Sequence, residues 1–70
     1  MNERLYRIIR KSELPDFVGL QRTQIDEMMK EGEFPRPITL SDRGRSVGWL
    51  EHELILWQQR RIAKRDREGE

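Results

Sequence analysis

No cysteine occurs among the 70 residues, so neither a disulfide nor a thiolate zinc site can hold this chain together. A small chain without such staples suits a reducing compartment, and a cytoplasmic location is expected. No apolar run approaches the roughly 18 residues that a membrane span needs, and no signal peptide is visible. No membrane association is expected. The single histidine, His52, lies between Glu51 and Glu53 in a segment with helical character. Those two carboxylates are two positions apart and point to different faces of a helix, which argues against a paired acid and base. No Ser/His/Asp constellation, glycine-rich phosphate loop or metal-ligand spacing occurs. The sequence does not read as an enzyme, and no cofactor, metal or small-molecule substrate is expected. Neither an internal repeat nor a low-complexity tract is visible. Charge of one sign is scarce too: the net charge is only +1. Placement of the charges, not their sum, must carry any electrostatic argument.

What is present is periodic. The chain is 34% hydrophobic and 39% charged, which is polar, yet its apolar residues cluster as they do in a folded domain. One small domain fits this length, with a large surface for its volume. The run from Leu5 to Arg10, with Leu5, Ile8 and Ile9, is β-prone and reads as a first strand. Ser12 is a plausible N-cap for a short helix, with Pro15 in its first turn. Leu14, Phe17 and Val18 would bury together, and Gly19 would stop the helix. A second helix should start near Leu20 or Gln21 and run to Glu31, with Ile25, Met28 and Met29 inward and Gly32 as C-cap. Two helices joined by a tight glycine turn make a helix-turn-helix.

Phe34 should plug the core below that helix. Pro35 and Pro37 impose an extended arm. Ile38 and Leu40 alternate with Thr39, as in a strand with one buried face. Residues 41–45 make a polar turn, and residues 46–49 return as a second strand. A last helix is expected from about Leu50 to Lys64. Leu50, Leu54, Trp57 and Arg61 would mark one face, with Ile55 and Ile62 beside it. Trp49 and Trp57 read as core residues. The fold expected is α+β and mainly α. It is a small winged helix-turn-helix over residues 1–64, with a short N-terminal strand, two short helices, a β-hairpin wing and a C-terminal helix. Residues 65–70 should form a frayed tail.

Charge divides along the chain. Residues 1–10 carry three arginines against one glutamate, and residues 34–49 carry Arg36, Arg43 and Arg45 against Asp42. Residues 21–33 are acidic, with Asp26, Glu27, Glu31 and Glu33 against Arg22 and Lys30. A recognition helix enters a groove with its N-terminal residues. Here those are Gln21, Arg22, Thr23 and Gln24. Arginine can bond guanine in bidentate fashion and glutamine adenine, each pairing discriminating by ~1–3 kcal/mol. Arg22 opposes the helix dipole, so it needs another reason: groove contact, or an ion pair with Asp26. Arg36 between two prolines, and Arg43, Arg45 and Ser46 on the turn, suit backbone or minor-groove contacts.

Three stretches then combine: Gly19 to Ile25 (GLQRTQI), Gly32 to Pro37 (GEFPRP) and Arg45 to Trp49 (RSVGW), together with Trp57 and the acidic residues of the last helix. At this spacing they resemble the AlpA family of small phage and prophage regulators, which is itself similar to the MerR-like winged-helix excisionases. The resemblance covers roughly residues 10–63. It implies double-stranded DNA binding by the second helix and the wing, and a role as transcription activator or excision factor in a bacterial or phage setting, at the nucleoid. The chain departs from the family in placing Asp26 and Glu27 where a tyrosine and an arginine are common, and in having no serine near Gln21. Asp26 can instead accept from a cytosine amino group, or turn away from DNA toward a protein. Glu27, Lys30 and Glu31 suit a protein partner such as RNA polymerase. The function expected is a sequence-specific, positive regulator of phage or mobile-element genes. It would act with RNA polymerase at initiation or elongation, and self-association on DNA would support its modest charge. The alternatives are an excisionase that bends attachment-site DNA, and a protein-interaction module such as an anti-repressor or polymerase inhibitor.

Overall fold

The computed structural model describes residues 4–68. Within these described residues three helices and a three-stranded antiparallel sheet follow one another as β1 (Ile8–Arg10), α1 (Leu14–Val18), α2 (Arg22–Lys30), β2 (Ile38–Thr39), β3 (Val47–Leu50) and α3 (Glu51–Glu68). The sheet order is β1-β3-β2, so the returning strand of the wing sits in the middle. Ile8 pairs with Leu50, Ile9 with Trp49 and Arg10 with Gly48, while Ile38 pairs with Gly48 on the other side. This is the expected α+β winged helix-turn-helix.

The core is small: Ile9, Leu14, Ile25, Phe34, Trp49, Leu54 and Trp57, one or two from nearly every element. Val18, Leu20, Met28, Met29 and Val47 pack against it, partly buried. Phe34 meets Trp57 edge to face, with ring centroids 4.9 Å apart. Each buried tryptophan also uses its polar edge. Trp49 Nε1 donates to the Pro35 carbonyl at 2.9 Å, and Trp57 Nε1 donates to the Glu33 carbonyl at 3.0 Å. The proline arm is therefore tied down at both ends of Phe34, by β3 and by α3.

Several local expectations are corrected. The first strand spans three residues rather than the run from Leu5, because its partner β3 ends at Leu50 and turns directly into α3. The Glu51 N–H still reaches the Arg7 carbonyl at 2.9 Å, while Leu5 is fully exposed. Glu13, not Ser12, caps α1: the Asp16 and Phe17 N–H groups both donate to its carbonyl. Its carboxylate accepts the Arg10 N–H at 3.1 Å. Phe17 is exposed rather than buried with Leu14, and the Arg7 guanidinium lies 5.7 Å from its ring centroid.

Helix α2 ends at Glu31 as C-cap, one residue before the expected Gly32. Gly32 follows with φ +76°, its N–H donating to Met29 O and the next N–H, of Glu33, to Met28 O. That pair of bonds is the Schellman arrangement, which favours glycine in the left-handed position. Gly19 plays a similar part after α1 at φ +75°, its N–H bonding Pro15 O at 2.8 Å. Strand β2 has no buried face: Ile38 and Leu40 are both more than a third exposed. It is a two-residue edge strand that nothing else in the described fold covers. The second wing strand begins at Val47 rather than Ser46, although Ser46 O still accepts the Leu40 N–H at 2.7 Å.

The last helix starts at Glu51 and runs 18 residues to Glu68. Residues 65–68, expected to fray, are helical; Gly69 and Glu70 lie outside the described residues. Beyond Trp57 every helical position is exposed, Arg61 and Ile62 included, and Ile55 is exposed as well. Among the described residues no helix is long and apolar enough to cross a membrane.

Candidate nucleic-acid interface

The turn at Gly19 places α2 with Ile25 in the core, and that fixes which side chains face outward. At ~100° per residue, Thr23, Glu27 and Lys30 lie on the side away from Ile25, with Gln24 and Asp26 on the two shoulders and Arg22 nearer the body. All six are exposed. Of the acidic residues, Glu27 shares the outward side with Thr23 one turn further along, while Asp26 stands on a shoulder.

The start of α2 needs no serine. Gln21 is the N-cap, and its N–H donates to Gln24 Oε1 at 3.0 Å. This is the backbone-directed limb of a capping box, with glutamine at N3 satisfying an otherwise orphaned donor. Gln24 therefore has a structural task beside any contact with a base, since its acceptor oxygen is already engaged. Thr23 and Gln21 are both exposed.

Arg22 does not form the ion pair with Asp26 that helical spacing permits. Among the described residues, the ion pairs within 4 Å are Arg7 with Glu51 and Arg65 with Asp66. Arg22, Arg36, Arg43 and Arg45 have no carboxylate partner among the described residues. Arg43 and Arg45 flank Gly44, whose φ of +85° and N–H bond to Ser41 O at 3.0 Å make the sharp bend of the wing. Both are exposed, while Ser46 is half-buried at the wing's base. Arg36 projects from the arm between two depressions. One is bordered by Asp26, Met29 and Lys30 of α2, and the other by Glu53, Leu56 and Arg60 of α3. Glu27, Lys30 and Glu31 sit on the C-terminal half of α2, exposed.

For two cations it is the neighbours that escape a reading of the sequence alone. Arg10 lies across the sheet from Gly48, and its Nε donates to the Val47 carbonyl at 3.2 Å, so its charge lies at the wing's base. Arg60 joins Arg36 in one groove although 24 positions separate them. Only strand pairing and helix docking reveal either neighbour.

A family model described as Prophage CP4-57 regulatory protein (AlpA) matches residues 7–62, which takes in every element from β1 into the exposed half of α3. The chain belongs to the AlpA family. It is also 39% identical over 61 residues to a protein of Enterobacteria phage P4 described as uncharacterized protein ORF88, covering 87% of this chain and 67% of the phage protein. No solved structure matches. The AlpA assignment makes this a phage-type regulatory protein, and the three stretches that carried the resemblance have physical roles in its fold. The Phe-Pro-x-Pro arm is the segment held by both tryptophans. The glycine of Val-Gly-Trp lies where β3 passes between β1 and β2.

Proposed function

We propose that this AlpA-family chain is a sequence-specific DNA-binding regulator of phage or mobile-element genes, acting as a positive regulator together with RNA polymerase, and not an enzyme. The observation that carries the reading is the set of exposed arginines without carboxylate partners, at the start of α2, on the arm and on the wing bend. A helix of nine residues with a basic, polar N-terminal turn suits entry into the major groove. Arg22 and Gln21 are the base readers, Thr23 bonds base or phosphate, and Asp26 accepts from a cytosine amino group. Arg43, Arg45 and Arg36 bond the backbone, with Ser46 beside them, and release counterions.

Entry by the N-terminal turn leaves the other end of α2 outside the groove. Glu27, Lys30 and Glu31 are the proposed contact to RNA polymerase, because clustered carboxylates suit a protein and not a phosphate. Modest charge per protomer favours binding as paired copies on adjacent sites. The test is selection of bound fragments from host and phage DNA by purified protein at near-physiological salt. Enrichment of a short motif at promoters of mobile-element genes supports the reading. Enrichment at attachment sites, with bending, replaces it by an excisionase. No enrichment, with salt-insensitive capture of a protein, replaces it by an interaction module.

A further inference from the structure

Helix α3 does two different jobs along its length. Its first turns carry Glu51 and Glu53 and the buried Leu54 and Trp57. From Gln58 to Glu68 nothing is buried. That exposed half holds Arg60, Arg61, Lys64, Arg65 and Arg67 against only Asp66 and Glu68, and Arg65 is tied to Asp66 at 2.9 Å. Cations near a helix C-terminus complement the dipole, but the effect dies away within the last turn. Arg60, Arg61 and Lys64 lie before that turn. They also repel: Arg60 with Lys64, and Arg61 with Arg65, are like charges at i, i+4, an arrangement that destabilises a helix in water. A polyanion laid along the helix would relieve that repulsion.

One stripe continues the candidate interface. Arg60, Lys64 and Arg67 follow each other at i, i+4, i+7 and so share a face. Arg60 lines the same groove as Arg36 of the arm, which Glu33 and Glu53 also border, and Lys64 and Arg67 carry the stripe away from those two carboxylates along the helix. The stripe covers ~10 Å of helix axis at ~1.5 Å per residue. Duplex DNA presents a phosphate on each strand every ~3.4 Å of its axis, so three cations over that length match about three base pairs.

We propose that the exposed half of α3 is a second, sequence-independent DNA-binding element, in which Arg60, Lys64 and Arg67 hold the phosphodiester backbone beyond the footprint of α2 and the wing. This rests on the DNA-binding reading above. The probe is a random-sequence duplex titrated across a range of KCl, because backbone contacts need no operator. Each lost phosphate contact lowers the slope of log affinity against log salt by about 0.9. The variant R60Q/K64Q/R67Q should lower the slope by about 2 to 3, and K64Q alone by about 1. Far-ultraviolet circular dichroism should show the helix retained, since glutamine is nearly as good a helix former as lysine or arginine. A triple variant or K64Q that keeps the wild-type slope overturns this proposal. In that case, wild-type binding that weakens in R43Q/R45Q leaves the DNA reading standing. Wild-type protein that does not bind duplex even at low salt overturns both.

Discussion

Gly48 shows how one missing side chain sets the sheet. It lies in the central strand between β1 and β2, and its backbone angles do not call for glycine. Space does: a Cβ built there would run into Cγ2 of Ile8, with Ile9 O and Leu40 Cδ1 each at 3.4 Å. Gly48→Ala should force Ile8 and the short β1 apart from β3. Overpacking of this kind costs about 1–3 kcal/mol, and each kcal/mol moves the melting midpoint by roughly 4–8 °C in a domain of this size. A calorimetric midpoint within about 2 °C of wild type would show that β1 yields freely. Trp57 makes a separate point. Trp57→Phe keeps an aromatic ring against Phe34 but removes the Nε1 donor to the Glu33 carbonyl. An unsatisfied acceptor and the lost ring volume should together cost about 1–3 kcal/mol. Exchange of amides in the arm should quicken more than exchange in β1. Uniform acceleration over the whole domain would mean that the bond does not hold the arm in particular.

At the level of elements, order and type were readable from residue patterns, and their ends were not. Gly19, Gly32 and the two arm prolines punctuate the chain wherever the backbone turns, because left-handed and extended conformations have few residue solutions. Boundaries depended on contacts far away in sequence. The first strand begins only at Ile8 because β3 runs out at Leu50, and the edge strand exposes Ile38 because no layer reaches it. The long exposed end of α3 had no signal beyond good helix formers. The candidate site was legible as residue types and not as neighbours: Arg43 and Arg45 stood out on a polar turn, while Arg10 and Arg60 required the folded chain. The wing yields an element-level prediction. Arg43→Gln with Arg45→Gln should lower the salt slope of DNA binding by about 1.8 without moving the melting midpoint, since each lost phosphate contact counts about 0.9 and both side chains are exposed. An unchanged slope would remove the wing from the interface. The acidic end of α2 yields another. Charge reversal at Glu27 and Glu31 should abolish transcription activation in a reporter strain while duplex affinity is kept or improved, because carboxylates repel phosphate. Activation that survives the reversal would discard this surface as the polymerase contact.

Seven side chains are buried among the described residues and the sequence has no cysteine, so the stability of so small a domain must be slight. Its charge arrangement sharpens this. The exposed half of α3 carries like-charge neighbours, and the arginines of the wing and arm form no ion pair within 4 Å among the described residues. Such a surface gives up some stability in the free protein, and a bound polyanion restores it. Binding to the native state alone stabilises by mass action, about 2.7 kcal/mol when free ligand stands at a hundred times the dissociation constant. In a domain this small that corresponds to a rise of roughly 10–20 °C in the melting midpoint. Duplex carrying the selected motif should produce the full rise. Random duplex at the same concentration should produce less, and its share should vanish as salt is raised. The comparison would separate the two contributions in one instrument: on the proposed reading, the part that depends on sequence would come from the start of α2, and the part that depends only on salt from the wing, the arm and the exposed half of α3. A midpoint indifferent to either duplex, at low salt and at concentrations that saturate a weak site, would leave the unpaired arginines without a ligand and would move the search to acidic protein partners.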